Sequence, residues 1–392
     1  MASDSSSSRP VRVPKLGHKK SMFGCQRCRA RRVKCNEAKP VCYNCKRHGV
    51  PCVYDRDSFV QLKASEKPTT VQISPSELKE SDPPESRERR MLETRLMHQY
   101  VVETGSSVAI DEHTMAFFSR VIPKLAFESD ALLYSMYTVS ALHMARLGTI
   151  EELGVENANV ASTYFSMAVR EHNNDVSQMS RETADLVSLT SSLMRVVQLV
   201  LLQTRCRQPY TPPYEWLAVT QTSASTFEET LGLFGLDNSE SPTIQMIKTS
   251  WHMHNGKQPR RKNFEQLKHL MDRSGEIRKT EQWDMEIRDA YENALHALCI
   301  ILRLMDAEGL SGNVLRALVT FPMVVDRRYV ELVHAASPRA LVILAHYFAL
   351  LANFEHIWWI ANAGADEVRA IAGALSEEWQ DMLPEPVKTI EK

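Results

Sequence analysis

The chain has 392 residues, enough for two or three domains, and its 43% hydrophobic and 24% charged residues are ordinary for a folded globular protein. The opening residues, MASDSSSSRP, lack the apolar run of a secretory signal. The most apolar stretch, residues 341–351, has about half the length that a membrane-spanning helix needs. We therefore expect neither a secretory signal nor a transmembrane helix.

The net charge of −1 hides an uneven distribution along the chain. Residues 9–56 hold 14 lysines and arginines against 2 acids, so this segment carries +12 and the remainder carries −13. Such an asymmetry indicates that one region meets a polyanion and the rest does not. A basic disordered tail is the alternative that charge alone leaves open.

Composition divides the chain into four parts. Residues 1–17 are rich in serine and then basic, without apolar periodicity, and are predicted to be a disordered arm. A cysteine-rich module occupies residues 18–56. Residues 57–90 are polar and contain four prolines, which is typical of a linker. Residues 91–392 show apolar residues at helical spacing and no convincing alternation, which predicts a large all-α domain.

Four helices of the large domain have clear end signals, such as an N-cap residue before them or a Gly or Pro at a boundary. They are predicted over residues 184–204, 213–233, 280–306 and 338–361. The last is apolar on nearly every face and is expected inside the domain. Residues 236–280 are more polar and are predicted to form a mobile excursion. Their basic residues and histidines include His252, His254, Arg260, Arg261 and Lys262.

Six of the eight cysteines form an internal repeat, in which C-x-x-C is followed after six residues by a third cysteine. The two halves are Cys25, Cys28, Cys35 and Cys42, Cys45, Cys52. Zinc favours four ligands in a tetrahedron and binds thiolates well. Two zinc ions need eight ligand positions, and six cysteines supply them only when two cysteines bridge. The repeat favours the two first cysteines, Cys25 and Cys42, as the bridging pair.

A single C-x-x-C would be equally compatible with a redox pair or with chance, but the doubled motif favours metal binding. Zinc held by four thiolates has no open position for water, so the cluster is predicted to be structural. We find no nucleophile elbow, zinc-protease helix, phosphate loop or dinucleotide fingerprint, and we predict that the chain is not an enzyme. Cys206 and Cys299 stand alone in apolar surroundings and are predicted to be buried core thiols.

The segment GCQRCRARRVKCNEAKPVCYNCKRHGVPCVY resembles the binuclear zinc cluster domain of fungal transcription regulators through all six cysteines, the basic run and Pro40. The resemblance implies two short metal-stapled helices and two zinc ions, bridged by Cys25 and Cys42. It implies that Cys28 and Cys35 complete one zinc site and that Cys45 and Cys52 complete the other. It also implies a nuclear regulator of RNA polymerase II genes, which reads CGG-like half-sites in duplex DNA and acts on the transcription machinery.

Basic residues concentrate in the first half of the repeat, which is therefore expected to face DNA. By their position in the motif Arg31 and Arg32 are predicted to read bases, since arginine pairs well with guanine. The residues predicted to contact phosphates or support binding are Arg29, Lys34, Arg27, Lys19 and Lys20. A solvated basic face is one alternative. A zinc module that docks RNA or protein without sequence-specific duplex binding is the other.

The larger domain is similar, in the segments MLETRLMHQY, VIPKLAFESDALLYSMYTVSALHMA and PRALVILAHYFALLANFEHIWWI, to the sterol uptake control class of these regulators. That similarity implies an all-α effector domain with an apolar, sterol-like ligand, and control of sterol-related genes or of a secondary-metabolite gene cluster. Trp358 and Trp359 could line the ligand pocket, with ordinary helix packing as the alternative. Residues 55–90 lack the heptads of a dimerising coiled coil. DNA binding is thus expected by a monomer or by dimers formed through the α-domain.

Overall fold

The computed structural model describes residues 25–36, 41–52, 85–149, 160–249 and 264–391, and in these ranges it contains helices and turns but no strand. The chain divides into two compact units, Met1–Lys67 and Pro68–Lys392. The predicted fold class is confirmed: a small cysteine-rich unit with two short helices, and a large all-α unit. The predicted arm at residues 1–17 and most of the predicted linker lie outside the described residues.

Short helices build the small unit and longer ones the large unit. The small unit contains α1 (Gln26–Ala30) and α2 (Tyr43–Arg47). The helices of the large unit are α3 (Arg87–Gln99), α4 (Gly105–Val108), α5 (Glu112–Ala116), α6 (Ile122–Leu125), α7 (Asp130–Leu147), α8 (Val160–Ser177), α9 (Ala184–Thr204), α10 (Tyr214–Phe234), α11 (Pro242–Thr249), α12 (Glu276–Thr280), α13 (Met285–Glu308), α14 (Gly312–Val324), α15 (Arg327–His334), α16 (Pro338–Ala352), α17 (Ala363–Ala374), α18 (Glu377–Gln380) and α19 (Pro384–Ile390). Two π-helical turns, Tyr100–Thr104 and Phe117–Val121, and two 3-10 helices, Ala126–Glu128 and Glu265–Met271, lie between them.

Two helices form the centre of the large unit because they are buried on every face. In α7 all residues from 131 to 144 except Leu133 are buried, and the helix packs against α3, α8 and α9. In α16 all residues from 339 to 349 are buried, and the helix packs mainly against α17 and α19. Each fully buried Leu or Phe contributes about 1.5–3 kcal/mol relative to an exposed one, so these two helices supply much of the core.

The predicted boundaries are confirmed where the sequence carries local end signals. The helix predicted over 184–204 is α9, and the one predicted over 213–233 is α10, which ends before Gly235 at a φ of 72°. The helix predicted from residue 280 begins at Met285 instead. Asp284 fixes this start, since its carboxylate accepts a hydrogen bond from the N–H of Ile287 at 2.8 Å.

The prediction that a helix runs from 338 to 361 is wrong at its C-terminal end, because α16 stops at Ala352. The side-chain amide of Asn353 donates to the carbonyls of Ala349 and Leu350, both at 3.1 Å, and a series of turns follows. Ser337 also makes no side-chain capping bond at the N-terminus. Apolar composition predicted burial of the whole segment, but turns bury its last part as well as a helix would.

The prediction of a mobile excursion over residues 236–280 is wrong for the parts that the structure describes. Helices α11 and α12 and a 3-10 helix lie in this segment. Ile244, Leu267 and Leu270 are buried, which explains why these polar-looking stretches are ordered. The histidines and basic residues between 252 and 262 lie outside the described residues.

Cys206 is exposed, so the prediction of a buried thiol is wrong there, whereas Cys299 in α13 is buried as predicted. Helix α9 ends at Thr204, and Cys206 lies in the surface loop that follows it.

One described helix, Ala184–Thr204, is long and apolar enough to cross a membrane, and 72% of that window is buried inside the domain. Such burial makes the match weak support for a membrane span.

Gly364 marks the closest approach of α17 to α16. A methyl group there would lie 2.6 Å from the carbonyl oxygen of Phe348 and 2.7 Å from the backbone N of Ala352. Because both atoms are backbone, Gly364→Ala is expected to lower the free energy of unfolding by about 1–3 kcal/mol. The matched control in the same helix is Gly373→Ala, which meets nothing within 4 Å and should stabilise the helix by up to about 1 kcal/mol. Thermal unfolding of the two variants measures the difference, and equal midpoints would contradict the tight contact.

Candidate metal centre and nucleic-acid interface

Each half of the cysteine repeat begins with a cysteine that caps its own helix. The Sγ of Cys25 accepts a hydrogen bond from the N–H of Cys28 at 3.5 Å, at the start of α1. The Sγ of Cys42 accepts one from the N–H of Cys45 at 3.3 Å, at the start of α2. The cysteine sulfur therefore accepts the backbone hydrogen bond that a side-chain oxygen usually accepts at a helix N-cap. The C-x-x-C spacing thereby sets the first helical turn.

The two halves also end in the same way. The N–H of Val33 donates to the carbonyl of Cys28 at 3.0 Å, and that of Val50 to the carbonyl of Cys45 at 3.2 Å. This cap requires a left-handed residue just before the donor. In the second half that residue is Gly49, with a φ of 60°, and in the first half it is Arg32, with a φ of 55°. The internal repeat of the sequence is thus a repeat of backbone conformation.

All six predicted metal ligands lie together, in two groups of four sulfurs. One group is Cys25, Cys28, Cys35 and Cys42, and the other is Cys25, Cys42, Cys45 and Cys52. The two groups share the first cysteine of each half. Within each group the sulfurs lie within 4.8 Å of one another. Five of the six cysteines are buried, and Cys52 is half-buried.

The sulfur spacing fits zinc and excludes disulfides. The Sγ atoms of Cys25 and Cys42 are 3.7 Å apart, and those of Cys28 and Cys42 are 3.6 Å apart. A tetrahedron with Zn–S bonds of about 2.3 Å places its sulfurs about 3.8 Å from each other. A disulfide would need about 2.05 Å.

Six cysteine thiolates, most of them buried, require cations to offset their negative charge. Desolvation raises the pKa of the Cys28 thiol to about 12, so a thiolate at this position is costly without a compensating charge. Two Zn²⁺ ions on six thiolates leave a formal charge of −2, which nearby arginines and lysines can offset. The N–H of Cys42 also donates to the Sγ of Cys52 at 3.3 Å. The donor set, its burial and its spacing all suit a binuclear zinc cluster.

The predicted DNA-contacting residues lie on and just after α1. Arg27, Arg31, Arg32 and Lys34 are exposed, and Arg29 is partly buried. Since α1 ends at Ala30, the two predicted base readers lie in the turn that caps the helix and not on the helix itself. Lys19 and Lys20 lie outside the described residues.

Two asparagines that the sequence analysis did not single out fix the chain after this turn. Asn44 of α2 donates its side-chain N–H to the carbonyl of Lys34 at 2.8 Å. Asn36 accepts the N–H of Tyr43 at 2.9 Å. Helix α2 therefore supports the backbone that presents the basic residues of the first half. No spacing rule in the sequence would have identified these partners, because both contacts join the two halves.

The large unit contains a partly open cavity of about 90 Å³. Its walls come from α9, α10, α11, α14 and the segment around α4 and α5, with Phe118, Leu199, Phe227, Ile247 and Val319 among its apolar residues. Trp359 lines the cavity, as the sequence suggested for this aromatic pair. Trp358 does not line it: its ring stacks on His143 at 4.5 Å and its N–H donates to Ser107.

Comparison with known proteins supports the assignment of the cluster. Residues 23–59 match the fungal Zn(2)-Cys(6) binuclear cluster domain. The chain is 30% identical over 356 residues to the Zn(2)-C6 fungal-type transcription factor afumD of Aspergillus fumigatus, covering 90% of this chain and 91% of that protein. It is 24% identical to a Zn(2)-C6 fungal-type transcription factor of Gibberella zeae, over 96% of this chain and 86% of that protein.

A sterol uptake control protein matches the chain over a short stretch. The chain is 31% identical to sterol uptake control protein 2 of Candida albicans over 77 residues, which is 20% of this chain and 10% of that protein. The relatives that match nearly the whole length are named as transcription factors, which agrees with the prediction of a non-enzyme and implies DNA binding by a domain that holds two zinc ions. The chain therefore belongs to the fungal Zn(2)-Cys(6) binuclear cluster family of transcription regulators.

Proposed function

We propose that this regulator reads CGG-like half-sites in duplex DNA through Arg31 and Arg32. The observation that carries the proposal is the conformation of Arg32. The equivalent position in the second half is Gly49, and a left-handed backbone costs an arginine about 1 kcal/mol more than a glycine. An arginine in this position, exposed to solvent, is accounted for by a contact outside the chain.

The remaining basic residues of the first half fit a supporting role on the DNA backbone. Arg27 and Lys34 are exposed on either side of the base-reading turn, and Arg29 lies on α1 between two cysteines. Phosphate contacts position a protein on DNA without reading sequence, and they make binding dependent on salt. We assign these three residues, together with Lys19 and Lys20 of the preceding segment, to phosphate contacts.

The two sulfur groups support an assignment of the metal ligands. We assign Cys28 and Cys35 to one zinc ion, Cys45 and Cys52 to the other, and Cys25 and Cys42 to both. When bound, the zinc ions supply folding energy rather than chemistry, because four thiolates leave no position for a reacting water.

We also propose the domain division at residues 18–56, 57–90 and 91–392. Helix α3 begins at Arg87, so the α-domain extends a few residues further towards the N-terminus.

The cellular role is inferred from the family. We expect the protein in the nucleus, where it would act on RNA polymerase II genes through the transcription machinery. Control of a secondary-metabolite gene cluster or of sterol-related genes is a prediction from resemblance. A sterol-like ligand of the α-domain is also a prediction from resemblance, and the cavity around Trp359 is its expected place.

The test of base reading compares Arg31→Ala with a matched change in the second half, Lys46→Ala. Both side chains are exposed and basic, and both follow the second cysteine of their half. Selection of binding duplexes from random DNA by the full chain should yield CGG-like sites. Arg31→Ala is expected to weaken the selected site by about 1–3 kcal/mol and to relax the preference at one base pair. Lys46→Ala should leave the preference unchanged.

Unchanged discrimination by Arg31→Ala would contradict the assignment of the base reader. Equal loss in both variants would indicate a solvated basic face that binds any polyanion. Preference for single-stranded RNA over all duplexes would favour the alternative function, in which the zinc module docks RNA.

A further inference from the structure

We propose that the cavity of the large unit binds a small organic carboxylate with an apolar body. The cavity lies between the main core and a separate small cluster built on Phe227, Ile244 and Ile247. Its apolar wall could accept a hydrocarbon chain or ring. The proposal replaces the sterol-like ligand predicted from resemblance with a ligand of the chemistry that this cavity favours.

Three polar side chains on the cavity wall carry N–H groups that have no partner in the described part of the chain. They are the Nε of Arg195, the Nε and Nη1 of Arg316, and the indole Nε1 of Trp359. All four atoms are inaccessible to solvent, and Trp359 as a whole is 1% exposed. An unmade hydrogen bond at a buried donor costs about 1–3 kcal/mol, and most buried donors in proteins are satisfied. The residues of the wall thus carry unpaired donors, which a ligand in the cavity reaches only after a rotation of these side chains.

The charge balance at the cavity is positive. Asp111 lies 2.5 Å from Arg316, and the opposite charges of the two side chains cancel. Burial alone would raise the pKa of Asp111, but the hydrogen bonds from Arg316 and Thr114 hold it below its ordinary value, so the carboxylate is ionised.

Arg195 has no such partner: no carboxylate of the described residues pairs with it. Its Nη1 lies 2.6 Å from the Sδ of Met323 and its guanidinium lies 5.2 Å from the centre of the Phe227 ring. Burial lowers the pKa of Arg195 to about 10, which leaves it charged at neutral pH. Among the described residues, one positive charge therefore remains uncompensated at the cavity.

A carboxylate suits both the unpaired donors and the uncompensated positive charge. It accepts several hydrogen bonds, it neutralises one positive charge, and its bonds to arginine are stronger than those between neutral groups. A sterol has a single hydroxyl and no charge, so it would leave most of the donors unsatisfied. Size points in the same direction, since about 90 Å³ corresponds to roughly six to nine water-sized positions. Pockets for larger ligands have about 300–1,000 Å³.

Binding is tested with hexanoate, using 1-hexanol as the counterpart that has the same chain length but no charge. Isothermal titration and thermal unfolding are measured on the zinc-loaded full chain without DNA, so the result is independent of base reading. Hexanoate is expected to bind and to raise the unfolding temperature by mass action. 1-Hexanol is expected to do neither. Binding of ergosterol with no binding of hexanoate, or equal binding of hexanoate and 1-hexanol, would overturn the proposal.

Three variants at the cavity and one control locate the site. Arg195→Gln should weaken hexanoate binding about tenfold to a hundredfold, since it removes a charge-assisted hydrogen bond. Trp359→Phe keeps the aromatic ring without the N–H and should weaken binding less. The control is Arg369→Gln, at an exposed arginine of α17 that lies outside the cavity. Arg195→Lys restores the charge and should recover part of the affinity, which separates loss of the site from loss of folding. Equal affinity in Arg195→Gln and Arg369→Gln would overturn the proposed site.

Discussion

Chelation of zinc is expected to unfold residues 25–52 completely while the large unit keeps its structure. The small unit has two helices of five residues, far too short to be stable alone. In the described residues its buried cluster consists of cysteines, with Val50 and Cys52 packed against it. Structural zinc contributes about 10–16 kcal/mol to domains of this kind, and no other interaction here could replace that. Hydrogen exchange of the full chain, before and after chelator, measures both units at once.

The number of zinc ions lost in cysteine variants tests the shared positions. Cys42 belongs to both sulfur groups, so Cys42→Ser should reduce the zinc content from two ions to none. Cys52 belongs to one group and is the most exposed of the six, so Cys52→Ser should retain one ion. Elemental analysis or native mass spectrometry gives the count per chain. One zinc ion in the unmodified chain, or the same count in both variants, would contradict bridging.

Replacing Arg32 by glycine is expected to separate DNA recognition from folding. The change removes the left-handed strain, so the cluster should be about 1 kcal/mol more stable. It also removes the second proposed base reader, so specific binding should weaken by about 1–3 kcal/mol. Zinc content should stay at two ions per chain. Denaturant unfolding of the zinc-loaded protein and titration of a selected duplex measure the two effects.

The opposite change at the equivalent position is the control. Gly49 has a φ of 60° and open space around its Cα, so Gly49→Ala should lower the stability of the cluster by about 1 kcal/mol through strain alone. Specific DNA binding should be unchanged. If Arg32→Gly destabilised the cluster, the arginine side chain would have a structural role. If it kept full affinity, Arg32 would not be a base reader.

The cysteine spacing by itself determined the small unit. Ligand number and tetrahedral geometry leave few arrangements for six thiols in a doubled C-x-x-C repeat, and each C-x-x-C fixes the first turn of a short helix. The all-α class of the large unit and the bounds of α9 and α10 were equally accessible, because helical periodicity and end signals are local properties.

Only the tertiary structure decided features that depend on contacts distant in sequence. Helix α16 ends at Ala352 because the following turns pack its apolar continuation just as well, and hydrophobicity does not distinguish the two. Arg339 looks like an exposed helix residue but is fully buried, paired with Glu281 at 3.0 Å and placed between the rings of Trp283 and Trp379. A charge can be buried in this way only when distant residues supply its partners.

The cysteine cluster and the cavity also differ in how far their features depend on contacts distant in sequence. The sulfur ligands lie within 28 residues and their spacing is visible in the sequence, whereas the left-handed conformation of Arg32 depends on how α1 is capped. The donors at the cavity come from Arg195, Arg316 and Trp359, three distant points of the chain. Whether such donors find acceptors is settled by packing alone, since each of these residues taken singly is ordinary for an amphipathic helix or a core turn. The sequence could therefore predict a metal cluster but not an unpaired positive charge.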